Sequence, residues 1–198
     1  MMRVLLGIGC LLLAMRAAAA STVSGAAIVD GKPVPDAVVY LEAAAAAPVT
    51  TGGHATMDQR NLQFVPKVLP VVRGTMVEFT NGDDIQHNVF SPSSAVRKFD
   101  LGAYGPGAAR SVQFDEPGEV LVLCNIHMEM EAHILVLRDP YFAMTARDGS
   151  YRITDVPPGQ YTAKLWRGSF LPDTHTVDVP DTPDFVLNLR MGPADAGQ

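Results

Sequence analysis

The sequence predicts an all-β protein. Short apolar runs recur along the chain, turns rich in Gly and Pro separate them, and no helical periodicity extends beyond a couple of turns. Regular short strands with frequent turns are typical of β-sandwiches and barrels. The 198 residues are 47% hydrophobic, so the chain can bury a core and does not have the composition of a disordered protein.

The first part of the expected fold is a strand pair followed by a linker. The segment "SGAAIVDGKPVPDAVVYLEA" predicts a short strand, a Gly/Pro turn and a second strand over Ala37–Glu42. The alanine-rich stretch after it contains Pro48 and Gly52 and is predicted to be a linker. The next segment, "FVPKVLPVVRGTMVEFTNGDD", predicts two strands that are broken by Pro66, Pro70 and Gly74.

The last third of the chain repeats this strand and turn pattern. Strands are expected on both sides of the Asp148–Gly149 turn and of the Pro157–Gly159 turn, and "DFVLNLR" predicts a closing strand. Residues 192–198, "GPADAGQ", are predicted to form a loose tail.

The first twenty residues are predicted to be a secretory signal segment. Arg3 precedes an apolar run over Val4–Met15, and small residues precede Ser21. The alternative is a membrane anchor, but the run is too short for a full span and Arg16 interrupts it. We therefore expect an exported protein that does not span a membrane, located in the periplasm if the source is bacterial.

Removal of that segment changes the charge and the cysteine count. Loss of Arg3 and Arg16 from the 15 basic residues leaves 13 against 21 acidic residues, a formal net charge of −8. Loss of Cys10 leaves Cys124 as the remaining cysteine, which cannot form an internal disulfide. The acidic balance and the lack of a basic patch argue against a nucleic-acid partner.

The segment "VLVLCNIHMEM" carries the candidate metal ligands. Cys124 ends an apolar strand, His127 and Met130 follow it, and His87 lies upstream in "DDIQHNVF". Each residue alone is more often a core or surface side chain. Together, a thiolate, two imidazoles and a thioether are the ligand set of a mononuclear blue-copper electron-transfer site. Structural zinc sites usually take two or more cysteines, so the set favours copper.

At these residues the sequence resembles the cupredoxins. "QHNVF" and "LCNIHMEM" are similar to their copper motifs, and the Cys-x-x-His-x-x-Met spacing is that of the amicyanin type; the likeness covers roughly Met57–Arg138. It implies a Greek-key β-sandwich and one type I copper. The likeness implies His87, Cys124 and His127 as equatorial ligands. It implies Met130 as the axial ligand.

Three further residues near the motif have expected roles. By the same likeness, Asn88 would hydrogen-bond across to the ligand-loop strand and hold the two halves of the site together. Amicyanin-like loops usually carry proline where this chain has Met128, so Met128 is a possible additional ligand or a shield for His127, although the spacing favours Met130. His133 alternates with apolar residues and is expected to be a surface or edge histidine.

The flanking segments suggest a second domain. "GAAIVDGKPVPDAVVYLEA" and "YFAMTARDGSYRITDVPPGQYTAKLWRG" are similar to the two ends of one carboxypeptidase-regulatory-like (transthyretin-like) β-sandwich. We therefore predict a discontinuous sandwich over residues 21–54 and 139–191, with a cupredoxin domain over residues 55–138 inserted in it. The alternative is a small N-terminal hairpin packed on the copper domain. Pairing of Val38–Leu41 with Tyr161–Trp166 is the contact that the insertion requires.

The motifs favour a carrier over an enzyme. The sequence has no Gly-x-Ser-x-Gly, phosphate loop or His-Glu-x-x-His, and its five histidines contain no His-x-His pair for a second kind of copper. We expect a one-electron carrier. Glu129 and Glu131 beside His127 suggest a partner with a positive face, such as a c-type cytochrome or a dehydrogenase. The alternatives are copper delivery, storage or sensing, and a structural sandwich protein without metal.

Overall fold

The prediction of an all-β fold is confirmed. A computed structural model describes residues 20–45, 53–92, 96–168 and 173–191, and these residues form eighteen strands and no helix. Nearly all of the predicted signal segment, most of the alanine-rich linker and the predicted tail lie outside the described residues. Within the described ranges, no helix could cross a membrane.

The strands are numbered in chain order. The first nine are β1 (Ser21–Val29), β2 (Lys32–Pro33), β3 (Val38–Ala43), β4 (His54–Arg60), β5 (Gln63–Val65), β6 (Val68–Val72), β7 (Thr75–Asn81), β8 (His87–Ser91) and β9 (Phe99–Tyr104). The others are β10 (Ala109–Phe114), β11 (Gly118–Leu123), β12 (Glu131–Leu137), β13 (Phe142–Met144), β14 (Ser150–Val156), β15 (Gly159–Trp166), β16 (Asp173–Val179), β17 (Asp184–Val186) and β18 (Leu189–Met191).

Two sheets built from the middle of the chain enclose one core. One has the strand order β10-β7-β4-β5 and the other β6-β12-β11-β8-β9. Alternate side chains of β7 are buried, as expected for a strand with one face on a core. The residues that fill this core include Met57, Phe64, Val77, Phe79, Val89, Phe114, Val120, Val122, Ile134 and Val136.

The sequence predicts a strand break at Pro70, and this expectation is wrong. Strand β6 runs through Pro70, which lies opposite Leu135 of β12. In the described sheet β6 is an edge strand that pairs with β12. A proline is tolerated there because an edge strand does not need an N–H donor on its free side.

The other two sheets combine strands from both ends of the chain. Strand β1 pairs with β14, and β3 pairs with β15 from Val38↔Trp166 to Ala43↔Tyr161. The pairing that the insertion hypothesis requires is therefore present. These sheets share a separate core that includes Val23, Val39, Leu41, Tyr151, Ile153, Tyr161 and Leu165. The division into two domains and the likeness of the flanks to a carboxypeptidase-regulatory-like sandwich remain predictions.

Strand β12 contacts apolar side chains on both of its faces. Ile134 and Val136 point into the core of the middle sheets, while Leu135 and Leu137 join a third apolar cluster. That cluster also contains Val38, Tyr40 and Trp166 from the sheet of β3 and β15, with Val68 and Phe142 packed against it. The outer face of the sheet is therefore covered by the flanking strands at β12 and β6.

Polar contacts border this junction. His133 lies between two carboxylates, with Nδ1 2.8 Å from Glu119 and Nε2 3.4 Å from Glu131, and its ring meets Trp166 at a centroid distance of 5.5 Å. The Trp166 indole donates to Glu119 at 3.3 Å. His133 is thus partly covered by the flanking strands, which the alternation of its neighbours in the sequence did not indicate.

We predict that Gly149→Ala destabilises the protein strongly. Gly149 has φ +76°, and a Cβ there would lie 2.6 Å from the Ala27 carbonyl oxygen and 3.1 Å from the Val34 amide nitrogen. Because both neighbours are backbone atoms, the free energy of unfolding should fall by about 3 kcal/mol, as measured by urea denaturation. The control is Gly31→Ala, since Gly31 has φ +75° with no atom near its added Cβ. Its expected loss is about 1 kcal/mol, and equal losses would contradict the steric explanation.

Candidate metal centre

Three potential ligands converge where two neighbouring strands approach each other. His87 begins β8, Cys124 follows β11, and His127 lies on the loop between β11 and β12. Their ligand atoms all lie within 4.8 Å of one another, and the two histidine Nδ1 atoms are 3.1 Å apart. Strands β8 and β11 are paired at Phe90↔Leu123, so the sheet brings together residues that are far apart in the sequence.

Burial is uneven across this cluster. The His87 side chain is fully buried and Cys124 is 3% exposed, whereas His127 is half-buried. The first three residues of β8 are all buried, because this strand lies inside the sheet between β11 and β9. The cluster is therefore largely shielded from water, and His127 is the most exposed of its three residues.

The two loop methionines lie in opposite environments. Met130 is fully buried, and its backbone is tied to the cluster because the Cys124 amide donates to its carbonyl at 3.3 Å. The Met130 amide in turn donates to the His127 carbonyl at 3.0 Å. Met128, by contrast, is 87% exposed. The turn after His127 thus returns Met130 toward the cluster and leaves Met128 on the outside.

Asn88 connects three parts of the site. Its backbone amide donates to Cys124 Sγ at 3.5 Å, and its side-chain oxygen accepts from the Asn125 amide at 3.4 Å. The side-chain Nδ2 donates to Asp100 of β9 at 2.7 Å. The contact with Asn125 links β8 to the loop that follows Cys124. No pattern in the sequence predicted the hydrogen bond from Asn88 to Asp100.

Sequence reasoning missed Asp83. Its Oδ2 lies 2.9 Å from His87 Nε2, and the carboxylate also accepts from the Asn61 amide at 2.6 Å and the Leu62 amide at 3.0 Å. The Leu62 hydrogen bond, joined by those from Asn61 and His87, lowers the pKa of Asp83 below its ordinary value, against an opposing effect of desolvation. An ionised Asp83 favours a proton on His87 Nε2, which leaves Nδ1 free to bind a metal.

The sequence shows two aspartates just before His87, but it does not show which of them contacts the histidine. Asp83 and Asp84 both precede His87 in "DDIQH", and either could have contacted it. The choice depends on the loop conformation, in which the Asp83 amide donates to the Asn81 side chain at 3.0 Å. Asp84 is exposed on the same loop.

The donors fit a single copper ion. Two imidazole nitrogens each about 2 Å from one metal, with about 110° between the bonds, would be about 3.3 Å apart. The observed separation of the Nδ1 atoms is 3.1 Å. A thiolate and two imidazoles are also the soft and borderline ligands that copper prefers. These donors would come from His87, Cys124 and His127, with the Met130 backbone adjacent.

Residues 52–137 match the family model of copper binding proteins of the plastocyanin/azurin family. The matched segment is similar to this family and makes up less than half of the 198 residues. It covers all four predicted ligands and both sheets that enclose the middle core. No curated protein matches the chain.

Several solved structures are similar to part of the chain. A purple cupredoxin from Nitrosopumilus maritimus is 21% identical, covers 42% of this chain and 99% of its own, and has a TM-score of 0.39. An amicyanin variant in the reduced state is 20% identical over 50% of this chain and 99% of its own, with a TM-score of 0.40. A copper-containing nitrite reductase from Thermus scotoductus SA-01 is 29% identical over 42% of this chain, with a TM-score of 0.40; the aligned part is 22% of that enzyme.

We predict that Asp83→Ala weakens copper binding. The change removes the carboxylate that contacts His87 Nε2, and loss of such a partner typically lowers metal affinity by about 10–100-fold. The measurement is a competition titration of Cu(II) against a chelator of known affinity. Asp84→Ala is the matched control, since it removes the same charge from the same exposed loop. Equal losses in the two variants would mean that charge alone is responsible.

Proposed function

We propose that this chain is an exported mononuclear blue-copper protein that carries single electrons to or from a partner protein. The observation that carries the proposal is the cluster of His87, Cys124 and His127, whose ligand atoms lie within 4.8 Å of one another in a cupredoxin domain. Copper would supply one reversibly exchanged electron at this point. The fourth ligand in the proposal is Met130.

The surroundings of the donors suit a carrier. The sheet holds His87 and Cys124 on adjacent strands, and Asn88 ties both to the loop that bears His127. Side chains held by packing and hydrogen bonds change position little, so the site would need little reorganisation when its charge changes.

Burial supports Met130 as the axial ligand. Its side chain is fully buried and its backbone carbonyl accepts from the Cys124 amide, while Met128 is 87% exposed. A weak axial thioether contact favours a side chain that is already ordered. An exposed side chain such as Met128 would lose more conformational entropy on binding than the buried Met130. In this proposal Met128 is part of the surface around His127 and does not bind the metal.

The surface beside His127 supports a protein partner. Four large apolar side chains that are 39–87% exposed lie in the segments that carry the site: Ile126 and Met128 flank His127, Ile85 lies between Asp83 and His87, and the Leu62 amide donates to Asp83. Exposed apolar side chains concentrated in these segments favour an interaction surface there. Acidic residues on the same loop, Glu129 and Glu131, would favour a partner with a positive face, such as a c-type cytochrome or a dehydrogenase.

The proposal extends to the location and the architecture. We propose a periplasmic location because the sequence of residues 1–20 predicts a secretory signal segment. The flanking segments would form a carboxypeptidase-regulatory-like scaffold into which the copper domain is inserted. Pairing of β3 with β15 supports this arrangement, since these strands lie on either side of the copper domain in the sequence.

We predict an intense visible absorption band when Cu(II) is added to the full chain. The band would arise from charge transfer between the Cys124 thiolate and copper. Cys124→Ser should lose it, because an alcohol is a much poorer soft donor, while the far-UV circular dichroism stays unchanged. The absence of a band from the folded wild-type protein would contradict the electron-transfer function.

A second function, copper delivery or sensing, is favoured by the exposed thioether of Met128. Methionine binds Cu(I), and a surface ligand could capture or release the ion. Met57 is fully buried in the core, so it is not available at the surface for such a role. In the carrier, a chelator should remove copper slowly, and Met128→Leu should change that rate less than twofold. Rapid removal that slows in Met128→Leu would favour delivery.

A further inference from the structure

The turn between β4 and β5 has an unexpected residue. Asn61 and Leu62 link the paired residues Arg60 and Gln63, and their φ angles are +54° and +59°. Two positive φ angles are typical of a type I′ turn, which favours glycine in the second position. The chain uses that solution elsewhere: the β1–β2 turn is Asp30–Gly31, with φ angles of +47° and +75°.

Leu62 therefore occupies a backbone conformation that leucine rarely adopts. A branched side chain in the left-handed region is strained, and such strain is often kept where the residue has a function. The Leu62 side chain is 39% exposed, so core packing does not fully account for it.

The turn holds the carboxylate that orients His87. The consecutive amides of Asn61 and Leu62 donate to Asp83 Oδ1 at 2.6 Å and Oδ2 at 3.0 Å, which makes the turn a small anion-binding nest. Asp83 Oδ2 is the atom that lies 2.9 Å from His87 Nε2. A chain of two hydrogen bonds thus joins the turn to a candidate copper ligand.

The same turn shares a cavity with the ligand loop. Residues that line this cavity of about 340 Å³ include Asn61 and Leu62 of the turn and Glu129, Met130 and Glu131 of the loop and the start of β12. The turn is therefore near the site in two ways: it reaches His87 through Asp83, and it lines one cavity together with Met130.

We propose that the Asn61–Leu62 turn is a positioning element of the copper site, which sets the orientation of His87 through Asp83. The proposal rests on the function proposed above. The turn supplies no metal ligand. Its two amides hold Asp83 so that His87 keeps its proton on Nε2 and presents Nδ1 to the metal. Because Leu62 is 39% exposed and its amide holds Asp83, a partner that contacts Leu62 would act on His87 through the same carboxylate.

The test compares two substitutions at one position in the full chain. Leu62→Pro removes one amide donor and cannot adopt φ +59°, so the nest should be lost. Leu62→Gly keeps the donor and prefers that φ. Gly31→Pro disturbs a turn of the same dihedral type at the far end of the chain and controls for general destabilisation. A one-glycine insertion between Asn61 and Leu62 replaces Leu62→Pro if that variant does not fold.

The readouts are the ¹⁵N shifts of the His87 ring before metal addition, the Cu(II) affinity and the reduction potential. We expect Leu62→Pro to move the His87 shifts toward mixed tautomers, to lower affinity about tenfold and to change the potential. Leu62→Gly and Gly31→Pro should match the wild-type protein within twofold in affinity. Wild-type values for Leu62→Pro, or the same losses in Gly31→Pro, would overturn the proposal.

A double-mutant cycle tests the route through Asp83. If the turn acts through that carboxylate, Leu62→Pro should lower affinity less than twofold further in an Asp83→Ala background. Multiplicative losses would show that the turn acts independently of Asp83 and would also overturn the proposal. If the wild-type protein binds no copper, the proposed function fails, while the His87 ¹⁵N shifts still test the coupling between turn and ligand.

Discussion

The approach of β8 to β11 is the contact on which the rest of the site depends. The two strands pair at Phe90↔Leu123, and the Asn88 amide donates to Cys124 Sγ at 3.5 Å. Without this pairing, His87 and Cys124 would be separated by the intervening β9 and β10 segments. Once it is made, the loop after β11 needs only a short turn to bring His127 and Met130 to the same place.

Burial of polar groups makes this arrangement specific. His87 and Asn88 are almost completely inaccessible, and a buried polar group without a partner costs about 1–3 kcal/mol. Each one has partners that come from other segments: Asp83 for His87, and Asp100 and Asn125 for Asn88. The network therefore favours one conformation of the loops around the cluster. It also limits the movement of the donors, which suits a site that changes charge without changing shape.

The flanking strands and the middle segment are joined by packing as well as by the chain. Leu135 and Leu137 of β12 pack with Trp166, and the Glu119–His133–Trp166 contacts border that cluster. Where the chain leaves β12, the buried Asp139 accepts from the Ala43 amide at 3.0 Å and pairs with Arg138 at 2.9 Å. The cluster lies on the face of the sheet opposite the core. The flanking strands thus cover part of one face, at β12 and β6, of the sheet that carries the candidate ligands.

Local patterns in the sequence predicted the all-β fold, and ligand chemistry pointed to a site at His87, Cys124, His127 and Met130. Strand and turn formation depend on residues that are close in the sequence, so local patterns predict them. Three of the four candidate ligands also lie within one short segment, where their order indicates a metal site. Local patterns did not predict three contacts: that of Asp83 with His87, that of the Asn61–Leu62 nest with Asp83, and that of His133 with Trp166. They depend on which distant segments meet and on loop conformation, and these are decided when the sheets pack.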